Sequence, residues 1–171
     1  MKAMRGQTLL ELMACLLIAG ILLGIAAPSF SEMLRKNRQT QAVNQLLGEL
    51  NHARASAVLE RTTIGICSGS SACDGSRTWG RNLLVFEDSN RNGRFETGER
   101  LIRQIRLPDD VTWRWSRFGQ QAHLHFEANG TTRAANGTLT LCMNNQPQHQ
   151  LVISLSGRIR SQRIGEITTC E

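Results

Sequence analysis

Four groups of residues in this 171-residue chain have the types and spacing that carry chemistry. The first lies in residues 88–99. Asp88, Asn90, Asn92, Glu96 and Glu99 stand at loop positions one, three, five, nine and twelve, with Gly93 at six. Oxygen ligands at that spacing match a calcium loop. The two asparagines, with Arg91 and Arg94, dilute the negative charge that holds a hard cation, and Asn92-Gly93 is itself a hairpin signal. The segment is therefore read as a structural hairpin, and no cofactor is expected. The second group is His123 and His125, which alternate with Leu124 and Phe126 and so leave one face of a strand. They suit a shared metal, but no third ligand is identifiable, and a solvated pair on the open face of an antiparallel sheet is the simpler reading.

The third group is basic. No acidic residue occurs between Glu127 and Glu166, an interval that holds Arg133, Arg158, Arg160 and Arg163. Gly157 permits a tight turn, and Arg158 and Arg160 then point to one face of an extended segment while Ile159 anchors the other. Guanidinium groups so placed suit phosphate oxygens, which are read without regard to base sequence. The alternative is a solvated edge strand protected by charge. The fourth group is the cysteines: Cys15 in an apolar run, most simply a small buried residue, and Cys67, Cys73, Cys142 and Cys170 downstream. In an oxidising compartment the latter four make two disulfides, with three pairings open. The preferred set is Cys67 with Cys73, closing a small Gly/Ser loop, and Cys142 with Cys170, tying down the C-terminus. A four-cysteine zinc site lacks the usual two-residue knuckle. No nucleophile motif, phosphate-binding glycine loop or carboxylate pair stands out, so the chain is read as a binding or structural protein rather than an enzyme.

Stepping from these groups to the elements that must hold them, residues 12–27 are continuously apolar, and with residues 8–10 they span about 20 residues, roughly 30 Å of helix, enough to cross a bilayer. Lys2 and Arg5 flank the start, which keeps that end cytoplasmic and sends the remainder outside. A cleaved secretory signal is the competing reading; the carboxylate of Glu11 and the helical sequence beyond Pro28 argue against it. Helical periodicity then continues to about Arg61, with Phe30, Met33, Leu34, Val43, Leu46, Leu47, Leu50, Ala53, Ala57 and Val58 on the apolar side. From residue 62 the pattern changes to short β-branched and aromatic stretches divided by Gly, Asn, Asp and Ser. Strands are expected at 63–67, 82–87, 100–107, 111–117, 122–128, 138–143, 150–156 and 158–164. Leu139, Leu141 and Met143 share one face; Leu151, Ile153 and Leu155 share another. The fold class is α+β: a long N-terminal helix packed on antiparallel sheet.

Residues 6–13, Gly-Gln-Thr-Leu-Leu-Glu-Leu-Met, resemble the prepilin cleavage motif of type IV pilins and type II secretion pseudopilins, and Gly20 and Pro28 fall where many pilins have a glycine and a proline. The resemblance implies a leader of residues 1–6, a transmembrane segment 7–28, an amphipathic continuation 29–61 and a β domain 62–171. It implies cleavage between Gly6 and Gln7 by a prepilin peptidase, then N-methylation of Gln7, where the family more often has phenylalanine or methionine. Loss of Lys2 and Arg5 would lower the formal charge from +6 to +4, mildly basic. Glu11 becomes fifth in the mature chain. A helix start favours an anion there, and the resemblance implies that it neutralises a neighbouring subunit's amine and sets register during filament assembly.

The strand order, with the hairpin at 88–99, resembles the GspH/FimT family of minor pilins and pseudopilins. The implied partners are other major and minor pilins or pseudopilins. The implied location is the inner membrane, single-pass with a periplasmic C-terminal domain, and the pilus or cell surface after assembly. Gly157-Arg158-Ile159-Arg160 also resembles the Gly-Arg-x-Arg motif with which FimT-type minor pilins bind double-stranded DNA in natural transformation. The expected function is a minor pilin near a pilus tip with DNA capture, Arg163 and Arg133 assisting. The alternatives are a type II secretion pseudopilin and a purely structural, pilus-priming minor pilin.

Overall fold

The structure is a computed structural model that describes residues 9–164 and Cys170. It divides into two compact units, 1–40 and 41–171. The first consists of helix: α1 spans Leu9–Glu60 without interruption at Pro28, and its residues from 9 to 38 are all exposed. Phe30, Met33 and Leu34 are among these exposed residues. Helix α1 is long and apolar enough to cross a membrane.

In the second unit the remainder of α1 buries Ala42, Val43, Leu46, Leu50, Ala53 and Ala57 at helical spacing. Nine antiparallel strands follow: β1 (Ile64–Ser68), β2 (Thr78–Trp79), β3 (Asn82–Glu87), β4 (Leu101–Arg106), β5 (Thr112–Ser116), β6 (Leu124–Phe126), β7 (Gly137–Met143), β8 (Gln146–Ile153) and β9 (Ile159–Arg163). They form two sheets, in the orders β4-β3-β1-β6 and β2-β5-β7-β8-β9. The buried helical side chains share one core with Ile64, Ile66, Leu83 and Val85 of the first sheet and with Trp79, Trp113, Trp115, Leu139, Leu141 and Ile153 of the second. The expected α+β architecture is thus the observed one.

Strand β2 escapes sequence reading because two residues show no period, yet it buries Trp79 against Trp115, with ring centroids 5.8 Å apart. The other eight strands overlap the expected ones, with β8 beginning at Gln146 rather than at 150. Strands β1 and β3 are buried on both faces rather than alternating. A second, smaller cluster of Cys67, Leu84 and Phe86, joined by Cys73 and Phe95, covers the outer face of the first sheet. Leu155 corrects the expected extent of β8: the strand ends at Ile153, and Leu155 sits in the following turn, 58% exposed.

Candidate functional site

The turn between β8 and β9 is closed on itself. Ser154 N–H donates to the Arg158 carbonyl (3.0 Å), Arg158 N–H donates to Ser154 Oγ (3.1 Å), and Gly157 N–H donates to the Ser154 carbonyl (2.9 Å). Gly157 has φ +75°, which favours glycine, and it is buried. A Cβ there would lie 2.9 Å from Arg54 Nε and closer still to the Gly130 carbonyl oxygen. Arg54, on α1, donates from Nε to that same carbonyl (2.8 Å) and from Nη2 to the Ser156 carbonyl (3.2 Å). Thr132, fully buried, donates from its backbone N–H to the Leu155 carbonyl and from Oγ1 to the Ser154 carbonyl, both at 3.0 Å. One helix and two turns are therefore joined at a single point. Gly157 is needed there for close packing as well as for its backbone angle, and neither Arg54 nor Gly130 is signalled by the local sequence.

From this fixed turn Ile159 packs against the core while Arg158 and Arg160 stand in solvent, their guanidinium groups unpaired among the described residues. The structure brings this pair together as read from the sequence. Arg163 is exposed, but by strand parity it leaves with Ile159 and Ser161, on the opposite face from Arg160. It pairs in register with His149, whose Nε2 lies 2.6 Å from Ser161 Oγ. Arg133 sits on the turn beside Thr132 with φ +48° and makes an ion pair with Glu127 at 3.4 Å. Arg163 thus leaves the face of Arg160, and Arg133 is engaged by Glu127.

Disulfides join Cys67 to Cys73 and Cys142 to Cys170, the preferred pairing of the three. Cys15 is exposed along α1 rather than buried.

The 88–99 segment joins the neighbouring antiparallel strands β3 and β4, as a hairpin connection must, but over a loop far longer than a two-residue turn. Its oxygens are largely engaged within the loop. Asp88, wholly buried, accepts from the N–H groups of Asn92 and Gly93, both at 3.0 Å. Asn90 Oδ1 accepts from Asn92 N–H (3.1 Å), and Asn92 Oδ1 from Arg94 N–H (2.7 Å). Glu96 accepts from Asn90 Nδ2 (3.0 Å), while one oxygen of Glu99 takes the Glu96 N–H and the other is buried without a partner. Phe95 carries the loop onto Phe86, and its N–H donates to Cys73 Sγ, so loop and disulfide together cap the first sheet. No group of three or more His, Cys, Asp or Glu converges among the described residues.

His123 and His125 do share a face, stacked with centroids 5.9 Å apart, but they are half-buried rather than solvated. The His123 ring lies against Gly93 so closely that a Cβ there would overlap it. Burial pushes both imidazoles below their ordinary value. For His123 the neighbouring His125 adds to the effect; for His125, Glu127 opposes it and Arg117 reinforces it. His125 Nδ1 is buried without a hydrogen-bond partner among the described residues. The loop that covers them comes from a distant part of the chain, which alternation within 122–128 does not reveal.

Glu11 lies exposed in the first turn of α1, while Gly6 and Gln7 fall outside the described residues. Residues 42–157 match the family model of the type II transport protein GspH, and residues 1–27 match that of the prokaryotic N-terminal methylation motif. The chain is 35% identical over 97 residues to the pilin-like protein PilA1 of Thermus thermophilus, covering 56% of this chain and 55% of that protein. It is 42% identical over 60 residues to a fimbrial protein of Pseudomonas aeruginosa, covering 35% and 38%. The chain thus spans about half the length, or less, of the curated relatives it matches. Among solved structures, the type IV minor pilin FimU of Pseudomonas aeruginosa aligns with a TM-score of 0.54 at 26% identity, over 72% of this chain and 91% of that one.

Proposed function

Because this chain belongs to the GspH family of pilin-like proteins, we propose that it is a minor pilin that enters a type IV pilus and captures double-stranded DNA through Arg158 and Arg160. Helix α1 anchors it in the inner membrane before assembly, with the β domain in the periplasm. A prepilin peptidase removes residues 1–6, and Gln7 is methylated; the match to the N-terminal methylation motif supports this step. Glu11 neutralises the amine of a neighbouring subunit as other pilins or pseudopilins assemble around it.

The observation that carries the DNA reading is the pair of unpaired guanidinium groups on one face of a turn locked to α1. A pre-set turn presents both charges without a backbone-ordering cost, and phosphates need no base-specific geometry. The test is a gel-shift titration of the full chain in non-ionic detergent at two salt concentrations. Affinity should fall with salt at a logarithmic slope of about 0.9 per phosphate neutralised, hence about 2 from these two arginines. Arg158→Gln with Arg160→Gln should abolish most binding, with circular dichroism unchanged. Binding at parental affinity by the folded double variant would overturn the DNA reading.

A second reading is favoured by the family's own description as a type II transport protein. In it the same anchor and fold serve a secretion pseudopilus, and the basic turn contacts other pseudopilins. A purely structural, pilus-priming subunit makes the same prediction for the gel shift. Co-purification with secretion components or with pilus components separates the two.

A further inference from the structure

The register of the second sheet places Arg160 in line with residues far along the chain. Across the strands, Arg160 is paired with Val152, Val152 with Thr138, and Thr138 with Ser116. In the adjacent row, Gln162 is paired with Gln150, Gln150 with Thr140, and Thr140 with Arg114. Paired residues leave the same side of a sheet. Strand alternation sends Trp113, Trp115, Leu139, Leu141, Leu151 and Ile153 to the core, so both rows lie on the sheet's outer face.

That face has a consistent chemistry. Its five strands contain no Asp or Glu, and next to Thr140, itself buried, the face also carries Cys142 with its disulfide to Cys170. Its centre is hydroxyl and amide: Gln162 donates to Gln150 Oε1 at 3.1 Å, and Gln150 Nε2 reaches Thr140 Oγ1 at 3.5 Å, a ladder that ties three strands together. At one end stand Arg158 and Arg160. At the other stands Arg114, half-buried, its guanidinium without a hydrogen bond or ion pair among the described residues. Arg117 nearby is spent internally, donating to the carbonyls of Phe118 and Ala134.

The geometry points to Arg114 as the third phosphate contact of a nucleic-acid face formed by these two rows from β5 to β9, with duplex DNA as its occupant; this rests on the DNA reading of Arg158 and Arg160. Three inter-strand steps separate β5 from β9, about 14 Å at about 4.8 Å each. That span is comparable with the width of the major groove of DNA, about 12 Å, so the two ends can meet phosphates on either side of a groove while the amide ladder lies between them. An acidic protein surface is the competing occupant. It is disfavoured because protein interfaces centre on buried apolar and aromatic residues, whereas in these two rows Val152 is the only large apolar side chain.

The experiment is fluorescence anisotropy of labelled random-sequence duplex with the full chain in non-ionic detergent, titrated at several salt concentrations. The parent, Arg114→Gln, Arg158→Gln with Arg160→Gln, and a control Arg94→Gln are compared. Arg94 lies on the 88–99 loop, which joins two strands of the first sheet. Arg114→Gln should weaken binding several-fold for every sequence and lower the salt slope by about 1, with Arg94→Gln unchanged. Loss of binding in the double variant with no change in affinity or slope in Arg114→Gln would overturn this inference and leave the reading of the turn standing. Unchanged binding in both would overturn both. Competition by poly-glutamate as effective as that by unlabelled duplex, at equal charge, would overturn the assignment of the face to DNA.

Discussion

Replacing Gly157 by alanine tests whether the basic turn is held by packing or merely by a residue free to bend. The added methyl group would stand 2.9 Å from Arg54 Nε and 3.1 Å from the Gly130 carbonyl carbon, with the carbonyl oxygen nearer still. The obstruction is backbone on one side and the hydrogen-bonding nitrogen of Arg54 on the other, so neither yields cheaply. Left-handed backbone costs a non-glycine residue about 1–2 kcal/mol, and overfilling a packed site costs about 1–3 kcal/mol more. A loss of about 3 kcal/mol is expected, which lowers the melting temperature of a chain of this size by roughly 6–12 °C. Thermal unfolding of the full chain in detergent, followed by circular dichroism, measures it. Arg54→Met removes the other half of the junction, and the double variant should lose less than the sum of the single ones, because both substitutions break the same contact. A Gly157→Ala protein melting within about 2 °C of the parent, or strict additivity with Arg54→Met, would refute the claim that Gly157 is there for close packing.

Removing the Cys142–Cys170 bond, by alanine at both positions, should cost about 3–4 kcal/mol by the chain-entropy relation for a 28-residue separation. Non-reducing peptide mapping should recover the two cysteines on one cross-linked pair of peptides, and free alkylated Cys170 would contradict the pairing. Because burial holds His123 and His125 below the ordinary imidazole value, the unfolded chain takes up protons first as pH falls. Their contribution to stability is complete above about pH 6.5 and is lost progressively below it. The drop in melting temperature from pH 7 to pH 5 should shrink in His123→Asn with His125→Gln, and an equal drop would show that the pair does not titrate on unfolding. Calorimetry should give no saturable calcium binding in the micromolar range, since the loop's asparagines and arginines weaken the charge that a hard cation needs; a micromolar isotherm lost in Asp88→Ala would reverse this expectation. Intact mass of the membrane-extracted protein should correspond to a chain beginning at a methylated Gln7, and any other start would sink the prepilin reading.

The helix to Glu60, the eight longer strands and the split between core and solvent faces were legible in the sequence because each depends on neighbours within a few residues. An apolar side chain every third or fourth position, or every second, states which side of an element avoids water, and Asn, Gly and Ser mark where the chain must turn. The disulfides were legible for a related reason: four cysteines outside the apolar run allow few pairings, and short-range closure selects among them. Partnership between elements was another matter. Nothing near residue 54 announces that its guanidinium will bond carbonyls 76 and 102 residues away. Nothing near Arg114 places it on a face with Arg160, because strand order and register are settled by how all nine strands share one core. The same cause buried the two histidines and released Leu155 into solvent. Local pattern fixes which way a side chain points relative to its own element; which other side chains it meets follows only once the apolar faces of the helix and both sheets have closed on one another.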